Sequence, residues 1–228
     1  MYMLPEVKYY YLKNHNLSGC LNQEQLLELC NNTRFKTFAK GDSVYFGEDS
    51  GNKIFFLLKG KIKVMEIDDM GRELIKEIIN EGDFFGAIGL EAEPPTDDFA
   101  TALTENTTVC SFPLNEFQDI LQRYPVLALT YARNVSIKLR RLENRHADLV
   151  FKDVKSRLIG FFKDWAKREG SRSGDKIILK NYLTHSDIAG FIATSRQSVT
   201  QLLNELRETG FLFYNRKQIE INEKAFLN

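Results

Sequence analysis

The hydrophobic pattern of the chain changes once, near Pro113. Before that point, short apolar or alternating runs are separated by glycines about every ten residues: Gly41, Gly51, Gly60, Gly71 and Gly82. The strand-like runs are KIFFLLKG (53–60), KIKVMEID (61–68), RELIKEII (72–79) and TTVCSFP (107–113). This alternation of strands and turns predicts an all-β roll or barrel, with a hairpin turn at 68–71 and an amphipathic helix around 22–33 before the first strand.

After Pro113 the pattern becomes helical as far as about residue 168, with little Gly or Pro. Apolar and small residues then recur at alternating spacings of four and three, which is typical of two helices that supercoil together. These residues are Ala128, Ala132, Val135, Leu139, Leu142, His146 and Leu149. We interpret them as the seam of a homodimer, and the alternative is one long helix that packs only on its own domain.

The segment 183–222 has the most specific pattern in the chain. Thr184 followed by Asp187 predicts a capping box at the start of a short helix. Ala193 suits a tight turn, and Thr194 or Ser195 can cap a second helix. The apolar stripe of that second helix consists of Val199, Leu202, Leu203 and Leu206. The pattern predicts a helix-turn-helix, followed by a two-stranded wing with residues 215–217 at its tip.

The second helix of this motif exposes side chains that can hydrogen-bond to DNA. Arg196 is predicted to donate two hydrogen bonds to O6 and N7 of a guanine. The other predicted contacts to bases or phosphates lie on the same helix and at the wing tip: Ser195, Gln197, Ser198, Gln201, Arg216 and Lys217. The alternative is a generic pair of antiparallel helices that packs for structure alone.

Taken together, these patterns resemble the Crp/Fnr family of transcription regulators over nearly the whole chain. The glycines at 41, 60, 71 and 82 match the turns of the family's cyclic-nucleotide-binding-like roll, and FKDVKSRLIGFF (151–162) resembles the start of its DNA-binding domain. TSRQSVTQLL (194–203) is similar to the family's recognition helix, S-R-E-T-V-G-R. Gln197 stands at the usual Glu position, so its amide can pair with adenine where Glu accepts from cytosine.

The resemblance implies an α+β fold in three parts. The first is an N-terminal double-stranded, jelly-roll-like β-roll that serves as a sensor domain (1–113). A long dimerisation helix (114–150) follows, and a C-terminal winged helix-turn-helix domain (151–228) completes the chain.

The segment GDFFGAIGLEAEPPTDDFATAL (82–103) departs from the family pattern. In nucleotide-binding members this segment carries a Glu for the ribose and an Arg-Ser or Arg-Thr pair for the cyclic phosphate. Ala87 stands at the Glu position here, and Asp97 and Asp98 stand at the Arg-Ser positions. Two carboxylates repel a phosphodiester, so we expect no binding of cyclic AMP or cyclic GMP in the usual manner. The predicted effector pocket consists of Phe85, Ala87, Asp97, Asp98 and Phe99.

Other sensor chemistries are limited by the available side chains. Cys20, Cys30 and Cys110 are scattered, which excludes a four-cysteine iron–sulfur cluster from one chain and indicates a reducing compartment. No cofactor and no metal site are identified from the sequence. Haem stays open as an alternative, because Phe84, Phe85 and Phe99 can line an apolar pocket and His15 can serve as an axial ligand.

Composition and charge narrow the class of protein. The chain has 228 residues, of which 43% are hydrophobic and 27% charged, and no apolar run is long enough to span a membrane. The start of the chain lacks the pattern of a secretory signal, so a cytoplasmic location is expected. Net charge is zero, but residues 1–149 hold 17 basic and 22 acidic side chains, whereas residues 150–228 hold 14 and 9. Only the C-terminal part suits DNA.

The sequence therefore predicts a homodimeric, non-catalytic transcription regulator that recognises an inverted repeat in double-stranded DNA. RNA polymerase and an unknown small-molecule or redox effector are its further expected partners, and no membrane association is expected. One alternative is a ligand-binding dimer without DNA function. Another is an enzyme that uses the acidic loop (Glu91, Glu93, Asp97 and Asp98) as a carboxylate site, although the loop lacks calcium-loop spacing.

Overall fold

The computed structural model describes residues 4–31, 33–45, 52–91 and 97–222. These residues form two compact units, Met1–Arg141 and Leu142–Asn228, and the boundary between the units lies inside a helix. Glu93 of the predicted acidic loop lies outside the described residues. Within the described ranges, every helix is too short or too polar to cross a bilayer.

The first unit consists of antiparallel strands flanked by helices. Helices α1 (Pro5–Asn14) and α2 (Gln23–Asn31) precede the strands, and α3 (Leu114–Arg123) and α4 (Pro125–Phe151) follow them. The strands are β1 (Arg34–Phe38), β2 (Ser43–Tyr45), β3 (Lys53–Lys59), β4 (Lys61–Ile67), β5 (Glu73–Asn80), β6 (Phe84–Gly86), β7 (Asp98–Ala102) and β8 (Thr107–Pro113). They pair in two four-stranded sheets, with the orders β1-β8-β3-β6 and β2-β7-β4-β5. The predicted double-stranded roll is confirmed.

Alternating side chains of β3 supply two separate cores. Phe55 packs with Phe85 and Val109 between the two sheets. Phe56 points to the opposite face of the same strand, where it packs with side chains of the flanking helices. Burial on both faces explains why β3 has a continuous apolar sequence and no alternation.

The predicted hairpin joins β4 to β5, whose pairing runs from Lys61 and Asn80 to Ile67 and Glu73. The Asp68 carboxylate accepts hydrogen bonds from the backbone N–H groups of Met70 (3.0 Å) and Arg72 (2.9 Å). Gly71 has a φ of 75°, a left-handed conformation that glycine adopts at little cost. Local side-chain chemistry therefore fixes this turn.

The helical region after Pro113 is divided, in contrast to the single dimerisation helix predicted for residues 114–150. Helix α3 ends at Arg123 and α4 begins at Pro125, because a proline cannot donate the backbone hydrogen bond that would continue a helix. A second break follows Phe151. The Asp153 carboxylate there accepts from Ser156 N (2.7 Å) and caps the next helix.

The second unit is a winged helix-turn-helix, as predicted. After the end of α4 it contains α5 (Val154–Glu169), β9 (Ser171–Ser173), β10 (Lys176–Lys180), α6 (His185–Ile192), α7 (Arg196–Glu208), β11 (Leu212–Tyr214) and β12 (Gln218–Asn222). Its strands form one antiparallel sheet in the order β11-β12-β10-β9. The core of the unit includes Trp165, Leu179, Val199 and Leu203.

Candidate nucleic-acid interface and effector pocket

The predicted capping box begins helix α6. The Thr184 hydroxyl accepts from Asp187 N (3.1 Å), and the Asp187 carboxylate accepts from Thr184 N (2.8 Å). Asp187 is buried, so these hydrogen bonds form in a site that little water reaches. The cap fixes the position at which the helix-turn-helix begins.

The turn between α6 and α7 is held by an arginine that the sequence patterns did not indicate. Ala193 has a φ of 53°, the left-handed conformation that usually ends a helix at glycine. Arg157 of α5 donates to Ile192 O (3.0 Å) and Ala193 O (3.3 Å), which are carbonyls that the end of a helix leaves without partners. This cross-link between elements far apart in sequence has no local sequence signal.

Helix α7 is capped by Ser195 and not by Thr194. The Ser195 hydroxyl accepts from Ser198 N (3.0 Å) and lies 2.8 Å from the Ser198 hydroxyl. Both predicted serine contacts therefore already have partners in the cap. Val199, Leu203 and Leu206 of the predicted apolar stripe are buried.

Three predicted DNA contacts on α7 are exposed on its polar side. The side chains of Arg196, Gln197 and Gln201 form no hydrogen bond or ion pair with any described part of the chain. Glu205, the nearest carboxylate along this helix, forms an ion pair with Lys155 of α5. The first turns of α7 consequently present unpaired donors, one of them cationic, to solvent.

The wing presents two further cations. At its tip, the Asn215 carboxamide oxygen accepts from Lys217 N (2.8 Å) and Gln218 N (3.0 Å). Asn181 supports the same turn from the end of β10, donating from its backbone to Lys217 O (2.9 Å). Arg216 and Lys217 are exposed, as predicted. Asn181 is a positioning residue that the sequence patterns did not identify.

The predicted seam residues on α4 lie in two environments. Ala128 and Val135 pack against the core beneath the first sheet. By contrast, Leu139 and Leu142 are 55% and 61% exposed, and Ala132, His146 and Leu149 are also exposed. The exposed apolar set additionally includes Leu129 and Ile137. A straight helix completes a turn every 3.6 residues, so residues that repeat every 3.5 gradually shift around it. The predicted seam therefore begins on the face of α4 that packs on the core and continues onto the exposed face.

The residues of the predicted effector pocket lie in different environments. Phe85 stacks on Phe55 (5.1 Å between ring centroids) and lies 6.0 Å from the ring of Tyr45. Ala87 is buried and Asp97 is exposed. On β7, Phe99 alternates with the buried Ala100 and Ala102 and therefore lies on the other face of the strand. The structure does not bring Phe99 to the rings around Phe85.

Asp98 forms an ion pair with a lysine that it shares with a second carboxylate. Its carboxylate lies 2.6 Å from Lys76 Nζ, and the same Nζ lies 2.7 Å from Glu66. Burial lowers the pKa of Lys76, but its hydrogen bonds to Asp98 and Glu66 outweigh burial and raise the pKa overall. One cation thus pairs with two carboxylates, one of which is the predicted pocket residue Asp98.

His15 has no nitrogen free for haem. It stacks on Phe56 with a centroid distance of 4.6 Å, its Nδ1 accepts from Leu17 N (3.2 Å), and its Nε2 contacts Asp83 O (3.2 Å). Burial lowers its pKa to about 4 despite the opposing effect of Asp83. Phe84 lies in the same core as Phe56, beside Tyr131 (5.0 Å), whereas Phe85 lies in the core between the two sheets, so the phenylalanines suggested for haem do not line one pocket. No cluster of potential metal ligands occurs among the described side chains.

Comparison with known proteins defines the class. Residues 35–124 match the cyclic nucleotide-binding domain, and residues 156–228 match the Crp-like helix-turn-helix domain. The global nitrogen regulator of Nostoc sp. strain PCC 7120 is 28% identical over 85% of this chain and 87% of its own. The CRP-like cAMP-activated global transcriptional regulator of Mycobacterium tuberculosis is 26% identical over 83% and 84%.

Solved structures agree with these matches. A CooA mutant from Carboxydothermus hydrogenoformans has a TM-score of 0.78 and 26% identity, over 95% of both chains. FixK2 from Bradyrhizobium japonicum shares the fold with a TM-score of 0.72, over 86% of this chain and 96% of its own, at 19% identity. The protein belongs to the Crp/Fnr family of transcription regulators and carries its helix-turn-helix DNA-binding domain.

Proposed function

We propose that this regulator acts as a homodimer that recognises an inverted repeat and responds to an effector other than a cyclic nucleotide. The observation that carries the proposal is the set of exposed, unpaired side chains of Arg196, Gln197 and Gln201 at the start of α7. The exposed wing cations Arg216 and Lys217 support it, because phosphate contacts position a protein on DNA while base contacts select the sequence.

Selection from random duplexes tests this proposal. We expect an inverted repeat whose half-sites are centred about 34 Å apart, since a two-fold dimer places one recognition helix in each half-site. An enriched motif without two-fold symmetry would contradict the dimeric arrangement. Failure to enrich any motif would contradict sequence recognition and favour a ligand-binding dimer without DNA function.

The exposed apolar side chains of α4 support a second copy of the chain as the dimer partner. Changing Leu139 and Leu142 together to Glu places four carboxylates on the predicted seam of a dimer, where like charges lose water and repel. We expect a monomer by sedimentation at micromolar concentration. The matched control is Arg140→Glu together with Arg141→Glu, two exposed polar positions of the same helix outside the predicted seam, which should stay dimeric. A double variant that remains dimeric would show that the seam lies elsewhere.

A non-nucleotide effector is supported by two observations at the predicted pocket. Phe85 packs among buried rings between the sheets, and Lys76 already pairs with the carboxylates of Glu66 and Asp98. Calorimetry with cyclic AMP and cyclic GMP is expected to show no binding at micromolar concentration. The relative from M. tuberculosis is described as cAMP-activated, which makes it a suitable positive control. Saturable binding of either nucleotide would contradict this part of the proposal.

Sensing of haem or another small ligand is the second candidate. The absorbance spectrum of protein purified anaerobically tests it, with a Soret band as the expected signature of haem. Because His15 is enclosed, we expect the spectrum of His15→Gln to equal that of the wild type. Loss of such a band in this variant would identify His15 as a ligand after all.

A further inference from the structure

We propose that His185 contacts a DNA phosphate and takes up a proton when DNA binds, so that each half-site couples binding to pH. This inference rests on the proposed DNA function. His185 is the first residue of α6, and its ring lies between the recognition helix and the wing. Its Nδ1 is 2.9 Å from Thr200 Oγ1 on α7, and its ring meets Tyr214 of β11 edge to face at 5.5 Å.

The hydroxyl of Thr200 determines which nitrogen of His185 carries the proton. Thr200 Oγ1 donates its single proton to Arg196 O at 3.0 Å, and a carbonyl oxygen can only accept. Thr200 Oγ1 therefore accepts from His185, and both contacts are satisfied only when Nδ1 is protonated. In the neutral ring, Nε2 is then a bare acceptor.

The Nε2 atom of His185 is accessible. His185 is half-buried, and within the described second unit its Nε2 is not fully buried and has no hydrogen-bond partner. In a helix-turn-helix the first helix crosses the phosphate backbone while the second enters the major groove. A ring at the start of the first helix, held by the second helix and the wing, is therefore placed toward phosphate.

The surroundings keep His185 neutral in the free protein. Burial lowers its pKa, and the positive charge of Arg196 lowers it further. Tyr214 is the group that faces the ring from the wing, and Asp187 of the same helix bonds back to Thr184. A phosphate oxygen at Nε2 has the opposite effect, because a nearby anion that accepts a hydrogen bond favours the protonated ring.

The pH dependence of DNA binding has a definite sign. The pKa of His185 is lowered by burial and by Arg196 in the free protein, and a phosphate at Nε2 raises it in the proposed complex, so binding takes up protons at pH values between the two. DNA affinity is highest at low pH and falls as pH rises through the pKa of the bound state. Each increase of one in that pKa strengthens binding at low pH roughly tenfold per half-site.

The test measures the affinity of full-length protein for its selected duplex between pH 5.5 and 8 at fixed salt. Calorimetry in two buffers of different ionisation enthalpy counts the protons taken up. We expect wild-type affinity to fall as pH rises, with net proton uptake on binding within this pH range. In His185→Asn the amide keeps a donor near Thr200 but cannot titrate, so we expect affinity close to wild type at pH 8 and a flat profile below it.

Two further variants separate the possible outcomes. His185→Arg carries a permanent charge and is expected to bind tightly at every pH. Lys217→Ala should bind more weakly at every pH but keep the wild-type dependence on pH. Wild-type binding without proton uptake, or equal pH profiles for wild type and His185→Asn, would overturn the role of His185 alone. Absence of binding by the wild type at every pH would instead contradict the proposed DNA function.

Discussion

The roll and the helix-turn-helix treat their polar side chains in opposite ways, and their two histidines show the contrast. In the roll, both nitrogens of His15 contact backbone groups and the ring is 3% exposed. In the helix-turn-helix, His185 has one nitrogen bonded and the other open. The lysine Lys76 of the roll likewise holds two carboxylates, whereas Arg196 of the recognition helix holds none.

The contrast distinguishes polar groups that stabilise the fold from polar groups that are available to a ligand. A buried polar group whose partners all lie inside the protein contributes to folding and has no capacity left for a ligand. An exposed donor without a partner contributes little to folding and remains available to hydrogen-bond with a ligand. Variants of the roll should therefore change stability, and variants of the recognition surface should change binding.

The largest expected effect concerns His15. The ring stays neutral in the folded protein, with a pKa of about 4, but binds a proton near pH 6.5 when unfolded. The stability that neutral His15 contributes is complete above about pH 6.5 and is lost as pH falls through 4. The difference between the two values corresponds to about 3 kcal/mol.

Urea unfolding of wild type and His15→Gln between pH 7 and 4 checks this expectation. The amide can still donate to Asp83 O but cannot titrate, so the variant should start less stable and lose less stability on acidification. The carboxylates titrate in both proteins and cancel in the difference. Parallel curves would mean that His15 is already accessible to protons in the folded roll.

The next effect concerns Arg196, whose loss should change recognition and leave folding intact. Arg196→Ala removes an exposed side chain with no partner, so the free energy of unfolding should change by less than about 0.5 kcal/mol. Binding to the selected site should weaken by about 1–3 kcal/mol per half-site, with preference relaxed at one guanine. An unchanged selected motif would mean that another residue makes that base contact.

Much of this contrast could be predicted from sequence because its determinants are local. The hairpin turn at 68–71, the capping box at Thr184 and Asp187 and the apolar stripe of α7 all act within a few turns of chain. The expectation that Asp97 and Asp98 stand at the positions of the family's phosphate-binding pair rests on the resemblance and stays a prediction.

What the sequence could not show depends on side chains that meet across long separations. Lys76 of β5 reaches Asp98 of β7 across the intervening strand β4, and Arg157 reaches the turn at Ala193 from another helix. Phe84, Phe85 and Phe99 do not line one pocket for a different reason. Residues that are near in sequence alternate between faces of a strand, and only the register decides which core each one enters.

Removing a cation from the wing should weaken DNA binding by a smaller amount, and equally for every DNA sequence. Lys217→Ala removes an exposed cation from the turn fixed by Asn215, so folding should be unaffected. Affinity should fall alike for selected and random duplexes. The slope of log affinity against log salt should flatten by about one for each phosphate that the variant no longer neutralises. A weakening confined to the selected duplex would assign Lys217 to base recognition and not to the backbone.

The smallest expected effect concerns Lys76, a lysine of the roll that is paired with carboxylates, in contrast to Lys217 of the wing. Lys76→Met keeps the length of the side chain but leaves the carboxylates of Glu66 and Asp98 without their shared cation. All three groups are partly solvated, so water and salt screen the repulsion, and the loss should be only about 0.5–1 kcal/mol of unfolding free energy. Chemical denaturation at low and high salt measures it, and high salt should reduce the difference.

The DNA affinity of the folded Lys76→Met variant should equal that of the wild type. Lys217→Ala should do the opposite, because it lowers DNA affinity and leaves the free energy of unfolding unchanged. If Lys76→Met instead weakened DNA binding while leaving stability unchanged, the ion pairs of the roll would belong to its signalling state and not only to its folding.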